Sequence, residues 1–287
     1  VQISGLLPSL SPAEQRVARL VIADPADAAR RTITELATAA GTSEATVIRF
    51  CRSVGMEGYP QLRIRLAAEA ARRIEPADTR VIGGDIPPDA DMAQIIATIA
   101  FNDARAVEET AEQLDADTCE QVVQALANAK RIDVFGVGAS GTVASDFQQK
   151  LHRIGRTAFY WPDVHTALAS AALLSKGDVA LGISHTGTTS DCIDVLRQAR
   201  QQGATTVALT NFPRSPITEV ADYVLTTAAR ETTYRSGATA SRLAQLTVID
   251  CLFVGVAARD RAATQRALAA TAESVADRRI NPGRRRG

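Results

Sequence analysis

Net charge is what this chain lacks first. Lys+Arg 32 and Asp+Glu 32 cancel, so no global electrostatic pull draws the chain to nucleic acid or membrane, and any such surface has to be local. Cysteine is sparse. Cys51, Cys119, Cys192 and Cys251 are scattered with no C-x-x-C pair, which supports neither a disulfide framework nor a zinc site and reads as reduced, buried thiols in a cytosolic protein. No uninterrupted apolar run of about 18 residues occurs, the length a membrane span needs. Val1–Leu7 carry neither the charged start nor the long apolar run of a secretory leader. The expectation is a soluble cytoplasmic protein with no membrane association, no metal and no cofactor. With 287 residues, 46% hydrophobic and 22% charged, the chain is long enough for two domains and a sizeable core.

The N-terminal region has no lysine: residues 1–80 carry 11 Arg against 9 acidic residues. Ser11-Pro12-Ala13-Glu14 supplies an N-cap, a first-turn proline and a capping-box glutamate for a helix to about Ala23, which Asp24-Pro25 ends. Thr32-Ile33-Thr34-Glu35 opens a second helix, Ile33 to Ala40, stopped by Gly41, and Thr42 or Ser43 caps a third through Ser53. Leu36, Ala37, Val47, Ile48 and Cys51 are available for a shared core. This is helix-turn-helix spacing, and it also suits a helical hairpin in any all-α domain. The third helix favours DNA: its exposed positions Ser43, Glu44, Ala45, Thr46, Arg49 and Arg52 make a small polar tip with arginines behind it, suited to the major groove of a double-stranded operator. The small basic excess implies weak binding by one copy and a dimer reading two half-sites. A fourth helix, Gln61 to about Ile74, carries Arg63, Arg65, Arg72 and Arg73, as phosphate contacts or as a solvated face.

Residues 76–90, with Pro76, Gly83-Gly84 and Pro87-Pro88, read as a linker between a domain of residues 1–75 and one of residues 91–287. Helices from about Asp91 to Gln113 and Asp117 to Ala129 follow. Strands then alternate with helices: Ile132–Phe135, Ser140–Ile154, Thr157–Tyr160, Val164–Leu173, Val179–Ile183, Ser190–Gln201, Thr205–Leu209 and Tyr223–Leu225. That alternation means a parallel α/β sheet with right-handed crossovers. Gly237–Ala258 and Ala262–Val275 read as two long helices, and the arginine-rich last ten residues as a disordered tail.

Two strand ends carry the chemistry. Asp178–Ile183 is an apolar buried strand, and Ser184-His185-Thr186-Gly187-Thr188-Thr189-Ser190 packs hydroxyls around one glycine ahead of a helix. Unpaired N–H groups and the positive helix end there suit a phosphate. No Lys or Arg lies between Asp178 and Ser190, so the local donors are neutral. The first strand ends in Gly136-Val137-Gly138-Ala139-Ser140-Gly141, which matches G-x-G-x-x-G, and Asp163 roughly answers the acidic residue a dinucleotide site wants. A second phosphate-type loop is one that a dinucleotide site does not need. Two such loops imply one compact ligand, and Ser140, Ser184, Thr186 and Thr189 suit a polyol or sugar phosphate.

These two loops resemble those of the sugar isomerase (SIS) domain. Tyr234–Leu246, read YRSGATASRLAQL, resembles its C-terminal segment in RpiR-type transcriptional regulators, and Thr34–Tyr59 is similar to that family's helix-turn-helix. The resemblance implies an N-terminal all-α helix-turn-helix domain and a C-terminal α/β parallel-sheet SIS domain, doubly wound and flavodoxin-like. It implies a bacterial regulator sensing a sugar phosphate as a homo-oligomer, dimer or tetramer. By position it makes Ser140, Ser184, Thr186 and Thr189 ligand contacts, lets Gly138 and Gly187 admit close backbone approach, and adds Glu231 and Arg235 as further candidates. Thr186 departs from the more usual serine, keeping the donor and adding a methyl.

SIS domains also occur in isomerases. Aldose–ketose isomerisation needs a general base, and the two loops hold no carboxylate. His165, His185 and Glu231 are the available bases; His185 also reads as a packed histidine, and Glu231 as a partner of Arg235. The attached helix-turn-helix favours regulation without catalysis, with isomerase and dinucleotide-binding protein as the alternatives.

Overall fold

The computed structural model describes residues 3–72, 86, 89–231 and 241–278. Arg73, Arg235, the stretch 234–240, the residues 279–287 and all of the 76–90 segment except Ile86, Asp89 and Ala90 lie outside the described residues. The chain packs as two compact units, one comprising Val1–Gly84 and Phe212–Arg214 and the other Asp85–Asn211 and Ser215–Gly287.

Among the described residues of the first unit there are six α-helices, α1 Ile3–Leu6, α2 Pro12–Ala23, α3 Pro25–Arg30, α4 Ile33–Ala39, α5 Glu44–Ser53 and α6 Tyr59–Arg72. Their starts are set by side chains that accept otherwise orphaned N–H groups. Glu14 accepts the Ser11 N–H at 3.0 Å, Thr32 and Glu35 form a reciprocal box, and the Ser43 hydroxyl accepts the Thr46 N–H. Glu14 also accepts the Ser53 hydroxyl at 2.9 Å, which ties α2 to the end of α5. Hydrogen bonding from Ser11 leads in holding its carboxyl below the usual range.

Two details differ from expectation. Asp24-Pro25 ends α2 and at once starts α3, because Asp24 accepts the Asp27 N–H and proline at the first helical position forfeits no hydrogen bond. In α5 the buried stripe runs through Val47, Phe50, Cys51 and Val54, whereas Ile48 is 37% exposed. The i, i+3, i+4, i+7 spacing of that stripe turns Ile48 outward and brings Phe50 into the core.

In the second unit α7 (Met92–Gln113) and α8 (Ala116–Asn128), capped by Asp91 and Asp115, precede an alternating run. It comprises β1 Ile132–Gly136, α9 Ala139–Arg153, β2 Ala158–Trp161, α10 Val164–Ala171, β3 Val179–Ile183, α11 Ser190–Gln201, β4 Thr205–Thr210 and β5 Tyr223–Thr226. Helices α12 (Ser241–Arg259) and α13 (Arg261–Glu273) follow. The five strands are all parallel in the order β2-β1-β3-β4-β5.

Alternation along each strand sorts the two faces. Val134, Leu181, Ile183, Val207 and Leu209 pack under α8, α9 and α12, and Phe135, Ala180 and Ala208 under α10 and α11. The second face is lined by small residues so that α11 can approach: a Cβ on Gly182 would stand 2.9 Å from Leu196. Helix α12 has the length and composition of a membrane span, but Ala244, Gln245, Val248, Ile249, Leu252 and Val256 are buried within the protein. Of the four cysteines expected to be buried, only Cys51 and Cys192 are; Cys119 is half-buried and Cys251 lies on the outer face of α12, exposed. Burial pushes the Cys51 thiol up to about 11 and the Cys192 thiol up to about 12.

Candidate functional site

The strand order reverses at β1 and β3, and successive helices leave to opposite faces there, which opens a crevice beyond the carboxyl ends of both strands. Gly136 pairs with Ile183 in the ladder, so the β1–α9 and β3–α11 loops emerge side by side. Neither helix is capped by a side chain: the cap positions Gly138 and Thr189 make no such bond. The first-turn N–H groups of both helices are therefore left for a ligand.

The glycines of the first loop serve separate ends. A Cβ on Gly136 would stand 2.7 Å from the Ser140 carbonyl oxygen, and one on Gly141 would stand 2.8 Å from the Gly136 carbonyl oxygen and the Tyr160 hydroxyl. These two permit the tight strand-to-helix turn. Gly138, at φ +61°, has nothing within 4 Å of an added Cβ, so it sets the backbone path and leaves the loop surface open.

The second loop is braced from within. The Ser184 hydroxyl accepts the Gly187 N–H at 3.1 Å and lies 3.1 Å from the Thr189 hydroxyl. Gly187, at φ +65°, is packed: a Cβ there would overlap the Ser215 hydroxyl and come within 2.9 Å of the Thr210 hydroxyl. Thr186 is exposed, and its hydroxyl accepts the Thr188 N–H at 3.3 Å. The buried members, Ser184 and Gly187, shape the loop. Thr186, Thr188 and Ser190 present its outer hydroxyls.

Helix α12 reaches both loops. Gln245 Nε2 donates to the Ser140 hydroxyl at 3.2 Å, and one turn earlier the Ser241 hydroxyl donates to Glu231 Oε1 at 2.9 Å. The same carboxyl oxygen lies 3.9 Å from His185 Nε2. Burial holds the His185 pKa below its ordinary value, and the Glu231 charge opposes that shift. Behind the loop, Asn211 donates its N–H to the His185 carbonyl at 3.0 Å, and its side-chain oxygen accepts from Thr227 and from the Ala229 N–H.

On α5, Ser43, Glu44, Ala45, Arg49 and Arg52 are exposed, as is Ile48. Thr46 is not: it is 3% exposed, and its hydroxyl accepts from Arg49 at 3.1 Å and lies 3.1 Å from the Ser43 hydroxyl. Its first-turn position, one residue before Val47, points it under the cap, so it braces Arg49 and does not offer a free donor. Arg16 holds the turn ahead of α5 by donating to the Ala40 and Gly41 carbonyls at 3.0 and 3.1 Å.

Residues 1–73 match the family model of the helix-turn-helix domain, rpiR family, and residues 125–255 match that of the SIS domain. An uncharacterized HTH-type transcriptional regulator of Caldanaerobacter subterraneus subsp. tengcongensis is 39% identical over 273 residues, 95% of this chain and 95% of its own length. This chain belongs to the RpiR family of transcriptional regulators. YbbH of Bacillus subtilis, an uncharacterized HTH-type transcriptional regulator, is 34% identical to this RpiR-family chain over 97% of each chain. Among solved structures, the Vibrio vulnificus NanR protein complexed with ManNAc-6P aligns with a TM-score of 0.62 at 28% identity, covering 98% of this chain and 100% of that one.

Within this RpiR-family chain, Gly138, Ser140, Ser184, Thr186, Gly187 and Thr189 all lie on the two neighbouring loops, and Glu231 joins them through His185. Asp163 instead caps α10, accepting the Thr166 N–H at 3.0 Å. His165 is exposed on the same helix. Sequence reading missed Gln245, Ser241, Asn211 and Arg16. A signal existed for Gln245, an amide set among Ala244, Val248, Ile249 and Leu252 on the buried face of α12.

Proposed function

We propose that this regulator binds a double-stranded operator through α5 and that a sugar phosphate held at the ends of β1 and β3 controls the binding. The observation that carries the reading is the pair of uncapped helix starts, α9 and α11, side by side at the point where the strand order reverses. The ManNAc-6P of the NanR complex supports it. The ligand set is Gly138, Ser140, Ser184, Thr186, Gly187 and Thr189 with Glu231; Arg235, outside the described residues, joins on resemblance alone. Ser43, Glu44, Ala45, Arg49 and Arg52 face DNA, with Ile48 added and Thr46 as a brace.

The domain limits in this reading are 1–75, 76–90 and 91–287. The protein acts in the cytoplasm as a dimer or tetramer, because one weakly basic helix-turn-helix binds tightly only when paired. It is not an enzyme: the attached DNA-binding unit gives a binding event an output that catalysis does not need.

One observation favours a second reading. His185 and Glu231 form a shielded pair beside the loop, which is the equipment of a proton transfer in a phosphosugar isomerase. The test is a thermal-shift screen of hexose and pentose phosphates followed by assay of each hit for interconversion. Stabilisation without interconversion is the expected result. Interconversion would move the protein to the isomerase reading, and stabilisation by NADH or NADPH alone would move it to a dinucleotide site.

A further inference from the structure

Gln245 is 0% exposed, and its two amide atoms fare differently. Nε2 donates to the Ser140 hydroxyl at 3.2 Å, while Oε1 is buried without a hydrogen-bond partner among the described residues. A buried amide oxygen left without a donor is unfavourable and calls for a group from outside the chain. Ser140 is equally shielded, at 4% exposure. Because its oxygen accepts from Gln245, its own proton is left to donate.

We infer that Ser140 and Gln245 together read one neutral hydroxyl of the bound sugar phosphate, and that the phosphate sits at the Ser184–Ser190 end. The inference rests on the ligand site proposed above. The pair offers the Ser140 O–H as a donor, with the second N–H of Gln245 Nε2 beside it, and Gln245 Oε1 as the acceptor. A sugar hydroxyl is donor and acceptor at once and satisfies both. A phosphate oxygen accepts only, so it satisfies Ser140 and leaves Oε1 bare. Turning the amide over would put the Nε2 donor where Oε1 stands, which a phosphate oxygen satisfies, so the inference holds for the orientation in which Nε2 donates to Ser140.

Ser241, one turn before Gln245, hydrogen-bonds Glu231, and the same carboxyl faces His185 of the β3–α11 loop, so this carboxyl stands beside both loops and the amide of Gln245 is what distinguishes the two ends. The β3–α11 loop carries no carboxyl group between Ser184 and Ser190, and no side chain caps the start of α11, although Asp191 stands in its first turn; the first-turn N–H groups there suit the phosphate. Gln245 is thus the residue that fixes which way round the ligand lies.

Calorimetry on the full chain tests this with ManNAc-6P, glucose 6-phosphate, glucosamine 6-phosphate, arabinose 5-phosphate and inorganic phosphate, which has no sugar hydroxyl. Gln245→Met, close in volume, is expected to weaken the tightest-bound sugar phosphate about tenfold, or about 1.4 kcal/mol, and to leave inorganic phosphate unchanged. Ser184→Ala is expected to weaken both. Ser140→Ala combined with Gln245→Met should bind the sugar phosphate no more weakly than the worse single variant. Equal weakening of both probes by Gln245→Met, additive losses in the double variant, or no loss at all would overturn the inference. If Gln245→Met does not fold, monodeoxy analogues on the wild-type chain decide: one position should lose about tenfold and the others little, and a uniform response overturns the inference. If no sugar phosphate binds the wild type, or Ser184→Ala changes neither probe, the site reading itself falls.

Discussion

The hydroxyl of Thr110, fully buried on α7, accepts the backbone N–H of Ala228 at 3.0 Å. Ala228 belongs to the segment after β5 whose neighbours Thr227 and Ala229 hold Asn211, and Asn211 in turn donates to the carbonyl of His185 in the ligand loop. Hydrogen bonds and the backbone of residues 227–229 therefore join the β3–α11 loop to α7. Thr110→Val keeps the volume and removes the acceptor, leaving a buried N–H unpaired. The expected cost is about 1–3 kcal/mol, read as a lower melting temperature of the C-terminal unit. A melting temperature equal to wild type would mean that this bond holds nothing.

The two loop glycines should respond differently to alanine. Gly138→Ala meets open space and suffers only from its φ of +61°, a cost of about 1–3 kcal/mol. Gly187→Ala has comparable backbone strain and also overlaps Ser215, so it should be the more destabilising in denaturant melts. Ser215→Gly should recover part of the Gly187→Ala loss and none of the Gly138→Ala loss. Equal recovery in both backgrounds would contradict the packing described.

Thiol chemistry should follow burial. At pH 8 an aromatic disulfide reagent should modify exposed Cys251 fastest and half-buried Cys119 more slowly. Cys51 and Cys192, with pKa values of about 11 and about 12, should react only as the chain unfolds. Fast reaction of Cys192 in the folded protein would contradict the packing of α11. Protection of Cys251 would mean that the outer face of α12 is covered by another copy of the chain.

His185 should leave a mark on the pH profile. Burial lowers its folded-state pKa below the ordinary 6.5, so the unfolded chain binds more protons and stability rises with pH across that window. Its contribution is complete above about 6.5 and is lost as pH falls through the folded value. His185→Gln should flatten the dependence of melting temperature on pH below 6.5, and Glu231→Gln, removing the charge that opposes the shift, should steepen it. Slopes identical to wild type would show that His185 does not titrate in this range.

Much of the fold was legible because its signals are local. Ser11, Thr32, Ser43 and Asp91 mark helix starts by their own hydrogen bonds, and the strand β3 and helix α11 fall on the residues that the apolar run and the helical segment after the hydroxyl-rich turn suggested. Both loops were legible for the same reason. What escaped depends on tertiary contact. Thr46 and Ile48 exchange their expected places because the helical phase is set by packing against α2 and α4, and Gln245 reads as one polar residue in an apolar helix until α9 is beside it. The short helix α3 escaped because one proline both ends α2 and begins the next turn.

The central claim, that occupancy of the ligand site alters operator binding, is tested most directly by fluorescence anisotropy of a labelled duplex from the region upstream of the gene. Affinity is measured with and without the phosphosugar that most stabilises the protein, for wild type, Ser184→Ala and Arg49→Ala. The expected result is a shift of about tenfold in wild type, a coupling of about 1.4 kcal/mol. Ser184→Ala should bind the duplex normally but lose the shift, and Arg49→Ala should lose duplex affinity while keeping its affinity for the phosphosugar. Duplex affinity in wild type that is unchanged at saturating phosphosugar would contradict the account.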